Sequence, residues 1–165
     1  MKTGFARQRF FEVQGNYGEW QCSVPCRQKV FDNEGAVMEM LKEIKDLKIP
    51  TDLIPYCPHC GATMTMHLRV DQAFVQDETW EASYEAYQGF FEGIEDQKVV
   101  FLELGVGYNT PTIIRYPFEK MTAVFPKAHL IRLNRDDLEG FATTKEKTIS
   151  INDDMREVLR QWLAD

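Results

Sequence analysis

The stretch Lys98-Val99-Val100-Phe101-Leu102-Glu103-Leu104-Gly105-Val106-Gly107-Tyr108-Asn109-Thr110-Pro111 decides the fold class. Its first seven residues are a continuous apolar run carrying one internal acid, which predicts a strand buried on both faces, as in a parallel sheet. Gly105 and Gly107 then make a turn. Thr110-Pro111-Thr112-Ile113-Ile114-Arg115 reads as a helix start with Pro111 in its first turn. Pro117 predicts an early stop or a kink. Ala128-His129-Leu130-Ile131-Arg132-Leu133 is a further strand, and Met155, Val158, Leu159, Trp162 and Leu163 mark a closing helix. Strand, helix, strand, helix means an α/β fold with a parallel sheet. In such sheets ligands bind beyond the carboxyl ends of the strands. The glycine turn suits a phosphate or a ribose, but it is shorter than a full G-x-G-x-x-G, and such turns are more often plain connections. Asn134 follows the second strand at the same sheet edge, as a ribose partner or as a turn former.

Upstream, Trp80, Tyr84, Tyr87, Phe91 and Ile94 recur at steps of 4, 3, 4 and 3, which predicts a helix with a buried aromatic face. Residues 17–70 hold all four cysteines and four of the seven prolines, so this stretch reads as turn-rich and built around a metal. Cys22-x-x-x-Cys26 and Cys57-x-x-Cys60 are two knuckles whose four sulfurs match the closed tetrahedral coordination of structural zinc. Such a site leaves no position for substrate. Iron on the same thiolates, or reduced free thiols, are the alternatives. His59, inside the second knuckle, is a spare ligand or a solvent-facing turn residue. Between the knuckles, Val37, Met40, Leu41, Ile44 and Leu47 share one face of a helix capped by Asp32 or Asn33, stopped by Pro50 and packed on its neighbour. Near the start, Arg9-Phe10-Phe11-Glu12-Val13-Gln14 is apolar enough for a strand, interrupted by Gly15 and then Gly18.

The chain of 165 residues suits one domain, or one large and one small. Its 26 acids outnumber its 19 Lys and Arg residues, and the net charge of −7 disfavours nucleic acid and anionic membrane surfaces as partners. No apolar run is long enough to span a bilayer. The opening Met1-Lys2-Thr3-Gly4-Phe5-Ala6-Arg7 has no apolar signal core. Cysteine pairs without an export signal point to the reducing cytoplasm and to metal ligation before disulfides.

In combination these pieces resemble a sirtuin, a family in which a zinc ribbon of two cysteine pairs is inserted in a Rossmann-like NAD domain. The finer resemblance is to the class M branch, the microbial sirtuins associated with macrodomains and lipoyl-carrier proteins. It rests on Gln14-Gly15-Asn16-Tyr17-Gly18, Gln21-Cys22-Ser23-x-Pro25-Cys26, Ile54-Pro55-x-Cys57-Pro58-x-Cys60-Gly61, Leu68-Arg69-x-Asp71, and Phe101-Leu102-Glu103-Leu104-Gly105-Val106-Gly107-x-Asn109-Thr110-Pro111. The family's Gly-Ala-Gly diphosphate loop and its Asn-x-Asp stretch belong upstream of Phe10, and no Gly-Ala-Gly occurs here. The chain therefore resembles the C-terminal half of a class M sirtuin, as a truncated gene, a split gene or an expressed fragment. The resemblance divides it into residues 1–16, a strand and turn of the partial Rossmann-like domain; 17–70, the zinc ribbon with its helix; and 71–165, the C-terminal half of the NAD domain.

Most sirtuins place His where Gln14 stands, as the general base that activates a ribose hydroxyl during deacylation. A primary amide can hydrogen-bond a ribose but cannot take up a proton near pH 7. The resemblance therefore implies NAD-dependent protein ADP-ribosyl transfer and disfavours deacylation. It implies that Gln14 and Arg69 are catalytic, and that Gly105, Gly107, Asn109, Asn134 and Asp154 hold NAD. Helix capping is the alternative for Asp153 and Asp154, and a salt bridge the alternative for Arg69. The implied acceptor is a protein such as a lipoyl-carrier protein, with a macrodomain protein as a further partner. Two other readings stay open: a zinc-ribbon module that docks a carrier protein without chemistry, and an inactive truncation.

Overall fold

The computed structural model describes residues 6–164, excepting the Gln8 side chain. Residues 1–5, part of the stretch read for a signal core, lie outside them. The chain forms two compact units, one running to Gln88 and one beginning at Gly89. Helix α2 (Glu78–Glu92) carries the chain from one into the other.

In the first unit, β1 (Gly15–Cys22) is the central strand of an antiparallel sheet, between β2 (Val30–Asp32) and β3 (Met64–Leu68). The strand expected over residues 9–14 is absent: Arg7–Arg9 is a short 3-10 turn and pairing begins at Gly15. Gly15 opens the strand rather than interrupting it. Its φ is +74°, and a Cβ there would drive into the His67 carbonyl and the Phe74 ring. Only glycine meets both demands. The β1–β3 register jumps between Asn16 and Trp20, which leaves Tyr17, Gly18 and Glu19 as a bulge. Buried Asn33 holds the bulge: its Nδ2 donates to Tyr17 O at 2.8 Å, and its backbone N–H donates to Gly18 O at 3.1 Å.

Helix α1 (Glu34–Glu43) is shorter than its apolar stripe predicts. Asp32 caps it, accepting from Glu34 N at 3.1 Å, while the Asn33 side chain is engaged in the bulge. The helix ends before Ile44, and Asp46 and Leu47 take positive φ in a reversal, so Leu47 is 95% exposed. No α1 residue is fully buried. In α2 the aromatic stripe does pack. Phe11 meets Trp80, Tyr84 and Tyr87, with ring centroids 5.3, 6.1 and 5.2 Å away.

The second unit is a parallel sheet of order β4-β5-β6, formed by β4 (Val99–Leu104), β5 (Ala128–Leu133) and β6 (Thr148–Ile151). The α/β class and the parallel sheet read from the sequence are both present. Burial of β4 on both faces is not. Phe101 and Glu103 are buried, whereas Val100, Leu102 and Leu104 are exposed. The covered face packs Phe101, Phe125, Ala128 and Leu130 with Phe91, Ile94, Phe118 and Met121. Helix α3 (Arg115–Val124) begins four residues later than Pro111 suggests. Pro117 consequently sits in its first turn, where the missing N–H has no intrahelical partner to lose, so it neither stops nor breaks the helix. Helix α4 (Met155–Trp162) closes the unit and buries Val158. Among the described residues no helix is long and apolar enough to cross a membrane.

Candidate functional site

The four cysteines converge as their spacing predicts. Cys22 ends β1, and Cys57 and Cys60 lie on a loop closed by Cys57 N to Ala62 O at 2.7 Å and Gly61 N to Cys57 O at 2.9 Å. All four sulfurs lie within 4.8 Å of one another. Cys22 and Cys60 are 3.5 Å apart, and Cys26 and Cys57 are 3.6 Å apart. Disulfides require about 2.05 Å, whereas the edge of a tetrahedron with metal–sulfur bonds of about 2.3 Å is about 3.8 Å. The cage therefore fits a tetrahedral ion. Its sulfurs are not equivalent. Backbone N–H groups of Cys60 and His59 pull the Cys57 thiol down to about 6. Desolvation, with the neighbouring sulfurs, pushes Cys26 up to about 12. His59 is exposed and serves through its backbone.

At the opposite end of β1 the ladder brings Gln14 and Arg69 together. Gly15 pairs with Leu68, and just beyond them Arg69 N donates to Gln14 O at 3.0 Å. The Arg69 guanidinium lies 4.2 Å from the Phe74 ring centroid and 5.3 Å from that of Trp80. Its Nε donates to Val13 O at 3.2 Å. Phe74 in turn stacks on buried His67, centroids 4.5 Å apart and planes 8° from parallel. His67 faces Glu19 Oε2 at 3.2 Å through Nδ1 and Val75 O at 2.8 Å through Nε2. Among the described residues, neither Asp71 nor any other acid pairs with Arg69. Among the described residues its two terminal nitrogens and the Gln14 side-chain amide make no hydrogen bond. The result is a fixed cation with an open donor fork, on a backbone neighbour of a residue whose amide is free to donate and accept. Nearby, a shallow open cleft is lined by Glu12, Asn16, Glu19, His67 and Trp80 among others, but not by Gln14 or Arg69.

The remaining predicted residues belong to the second unit. Gly105 has φ +64°, and the only heavy atom a Cβ there would approach is the Met155 methyl, at 4.0 Å, so the space above it is open. Among the described residues, the backbone N–H groups of Val106, Gly107, Tyr108 and Asn109 make no hydrogen bond. That row of free donors beyond a parallel strand fits an anionic or sugar-phosphate group. Asn109 is exposed. Asn134 is committed within the chain: Nδ2 donates to Val106 O at 3.0 Å, and Oδ1 accepts from Asp136 N and Asp137 N, both at 3.0 Å. Asp154 caps α4, accepting from Arg156 N and Glu157 N.

Beneath this loop lies a charge cluster that the sequence reading missed. Arg132 donates to Glu103 (Nε–Oε1 2.8 Å, Nη2–Oε2 3.2 Å) and to Glu119 Oε1 (2.7 Å), and Thr144 Oγ1 donates to Glu119. All four residues are at most 1% exposed. Burial opposes the charge on Arg132, but Glu103 and Glu119 outweigh it and hold the guanidinium above its ordinary range. One signal was available: an acid inside an apolar strand must find a buried partner.

No family model matches the chain. It is similar to the protein ADP-ribosyltransferase of Staphylococcus aureus, 31% identical over 156 residues, which is 94% of this chain and 50% of that protein. It is also similar to the probable bifunctional ADP-ribose hydrolase/ADP-ribosyltransferase of Fusarium oxysporum, 31% identical over 73% of this chain and 21% of that protein. The chain thus spans about half the length of one relative and about a fifth of the other. Sequence similarity relates it to the ADP-ribosyltransferases.

Proposed function

We propose that this chain is the zinc-bearing, C-terminal portion of a sirtuin-like, NAD-dependent protein ADP-ribosyltransferase. The observation that carries the reading is the pairing of Gln14 and Arg69, adjacent in backbone and both with free polar ends. NAD supplies an activated ribose carbon whose bond to nicotinamide breaks as an acceptor attacks. The residues here would bind and orient. The free N–H row at 106–109 suits the sugar-phosphate part, Gln14 suits a ribose hydroxyl, and the Arg69 fork suits an acidic acceptor or a phosphate through two parallel hydrogen bonds. Neither Gln14 nor Arg69 can act as a general base at neutral pH, so hydroxyl-dependent deacylation is disfavoured. Zinc in the sulfur cage would be structural, since four thiolates close its coordination. The acceptor class is a protein, with a lipoyl-carrier protein as the first to try.

The test supplies labelled NAD, the carrier protein and an acetyl-lysine peptide to the protein at its full natural length. The expected result is label on protein with little deacetylation. Robust deacetylation with no labelled protein would overturn the reading. A Gln14→Ala variant with undiminished transfer would remove Gln14 from the site. Residues 6–164 alone are expected to bind NAD weakly, because the preorganised contacts they supply are only part of a dinucleotide cradle.

A further inference from the structure

We propose that Arg115 is a positioning residue that clamps the glycine loop after β4 and the loop after β5 into one rim, the rim to which the proposed function assigns the sugar-phosphate part of NAD. Arg115 opens α3 and is 1% exposed, yet its side chain reaches three backbone carbonyls on two loops. Nη1 donates to Val106 O at 2.7 Å and to Glu103 Oε1 at 3.3 Å. Nη2 donates to Asp137 O at 3.0 Å and to Glu139 O. The Tyr108 ring lies 4.2 Å from the guanidinium, and its hydroxyl donates to the same Glu139 carbonyl at 3.0 Å. Asn134 adds a second donor to Val106 O.

The division of labour with Arg132 argues for this role. Arg132 already holds Glu103 at both oxygens, so the Arg115–Glu103 bond, the longest hydrogen bond that Arg115 makes, is not needed to satisfy that carboxylate's geometry. It balances the charge of a cluster with two acids. The other three Nη contacts go to loop carbonyls, and a carbonyl aimed inward at a donor turns the neighbouring peptide groups outward. The outcome matches the free N–H groups at 106–109. A lysine would keep the charge, but its single nitrogen cannot reach both loops with the planar fork that spans them.

The experiment is amide NMR and hydrogen exchange on the ¹⁵N-labelled chain, with ADP-ribose as the probe. Three variants are compared: Arg115→Lys, Tyr108→Phe and, as an exposed control, Arg160→Ala. In Arg115→Lys we expect the amides of both loops to shift, and exchange at Gly105, Asp136 and Asp137 to accelerate about tenfold, the loss of roughly one hydrogen bond's net worth. Amides of β5 should hold, and ADP-ribose shifts at 105–109 should weaken about tenfold. Tyr108→Phe removes one hydroxyl and should move both loops by less, which preserves the test should Arg115→Lys not fold. Arg160→Ala should leave both loops unmoved. Changes confined to one loop, or rescue of both loops by lysine, would overturn the clamp. The reading of the rim as a nucleotide site fails separately, if ADP-ribose moves no amide of either loop in the unvaried chain while the coupling between loops is intact.

Discussion

The two units solve the problem of small size in opposite ways. The first has an antiparallel sheet, one bare helix, α1, and a scattering of buried residues. It is closed at one end of β1 by sulfur and at the other by the Arg69–Phe74–His67 stack. The second has an apolar cluster around Leu130 and a charge network fully out of solvent. Small folds without enough core need staples, and here the four-sulfur cage with the geometry to hold one sits in the unit that lacks the core. The difference predicts different failures. Substituting Ser for both Cys57 and Cys60 should release the ion, one per chain by elemental analysis. It should destabilise the first unit, whose small core leaves the four-sulfur cage as its staple. Amide signals from β4 to β6 should persist. Full metal retention in that variant would sink the four-sulfur assignment.

The second unit should break at its charges. Glu103→Ala leaves buried Arg132 with Glu119 alone and buried Arg115 without its carboxylate partner, and removal of one partner from a buried pair costs about 3–5 kcal/mol. Leu130→Ala, at the centre of the apolar cluster, should cost about 2–5 kcal/mol. Denaturant melts followed at residues of β5 measure both. An equal loss would show that the network stabilises as much as the cluster does. A negligible loss at Glu103 would show that its role is loop geometry alone.

In the metal-free chain the sulfur cage should respond to pH in two directions. Cys57 is lowered from 9.0 to about 6, so its contribution is fully present above pH 9 and is lost as pH falls toward 6. Cys26 is raised from 9.0 to about 12, so its contribution is present below pH 9 and is lost as pH rises toward 12. Stability of the metal-free first unit should therefore peak near pH 9. Thiolate absorbance should show one sulfur titrating near 6, and added zinc should abolish that step. A single shared midpoint near 9 would mean that the backbone donors to Cys57 are not formed in solution.

The cage was legible because coordination chemistry fixes residue type and spacing together. The parallel sheet was legible because Val99–Leu104 and Ala128–Leu133 are apolar runs set apart by a crossover. The exposed face of β4 was not, since an apolar run does not reveal which face has a cover. Strand β3 was not legible because its buried residue is the polar His67 while Met66 on the alternate face is exposed, so its hydropathy does not mark a core strand. Gln14 and Arg69 were named through resemblance, and their adjacency comes from a ladder joining residues 55 apart, which no local pattern encodes. Arg115 reads in the sequence only as part of a helix start, since its carbonyl partners lie on loops up to 24 residues away.

The smallest expected effect sharpens the comparison at the poorly covered end of the first unit. The apolar stripe of α1 runs on to Leu47, yet the chain reverses there instead. Lys45 and Lys48 exchange two backbone bonds of 2.9 Å, Lys45 N to Lys48 O and Lys48 N to Lys45 O. Asp46 (φ 49°) and Leu47 (φ 60°) form the two-residue connection between them. Two successive positive φ angles are what a type I′ turn demands, and Asn-Gly meets that demand best. Leucine in that region costs roughly 1–2 kcal/mol through the clash of its Cβ with the following carbonyl. Its 95% exposed side chain gains no burial in return. The double change Asp46→Asn, Leu47→Gly should therefore stabilise the first unit by about 1 kcal/mol, after the entropy that glycine adds to the unfolded chain is subtracted. Thermal melts of the metal-loaded chain measure it. A loss of stability instead would mean that Leu47 is covered in solution, and the first unit would then have more core than its buried residues indicate.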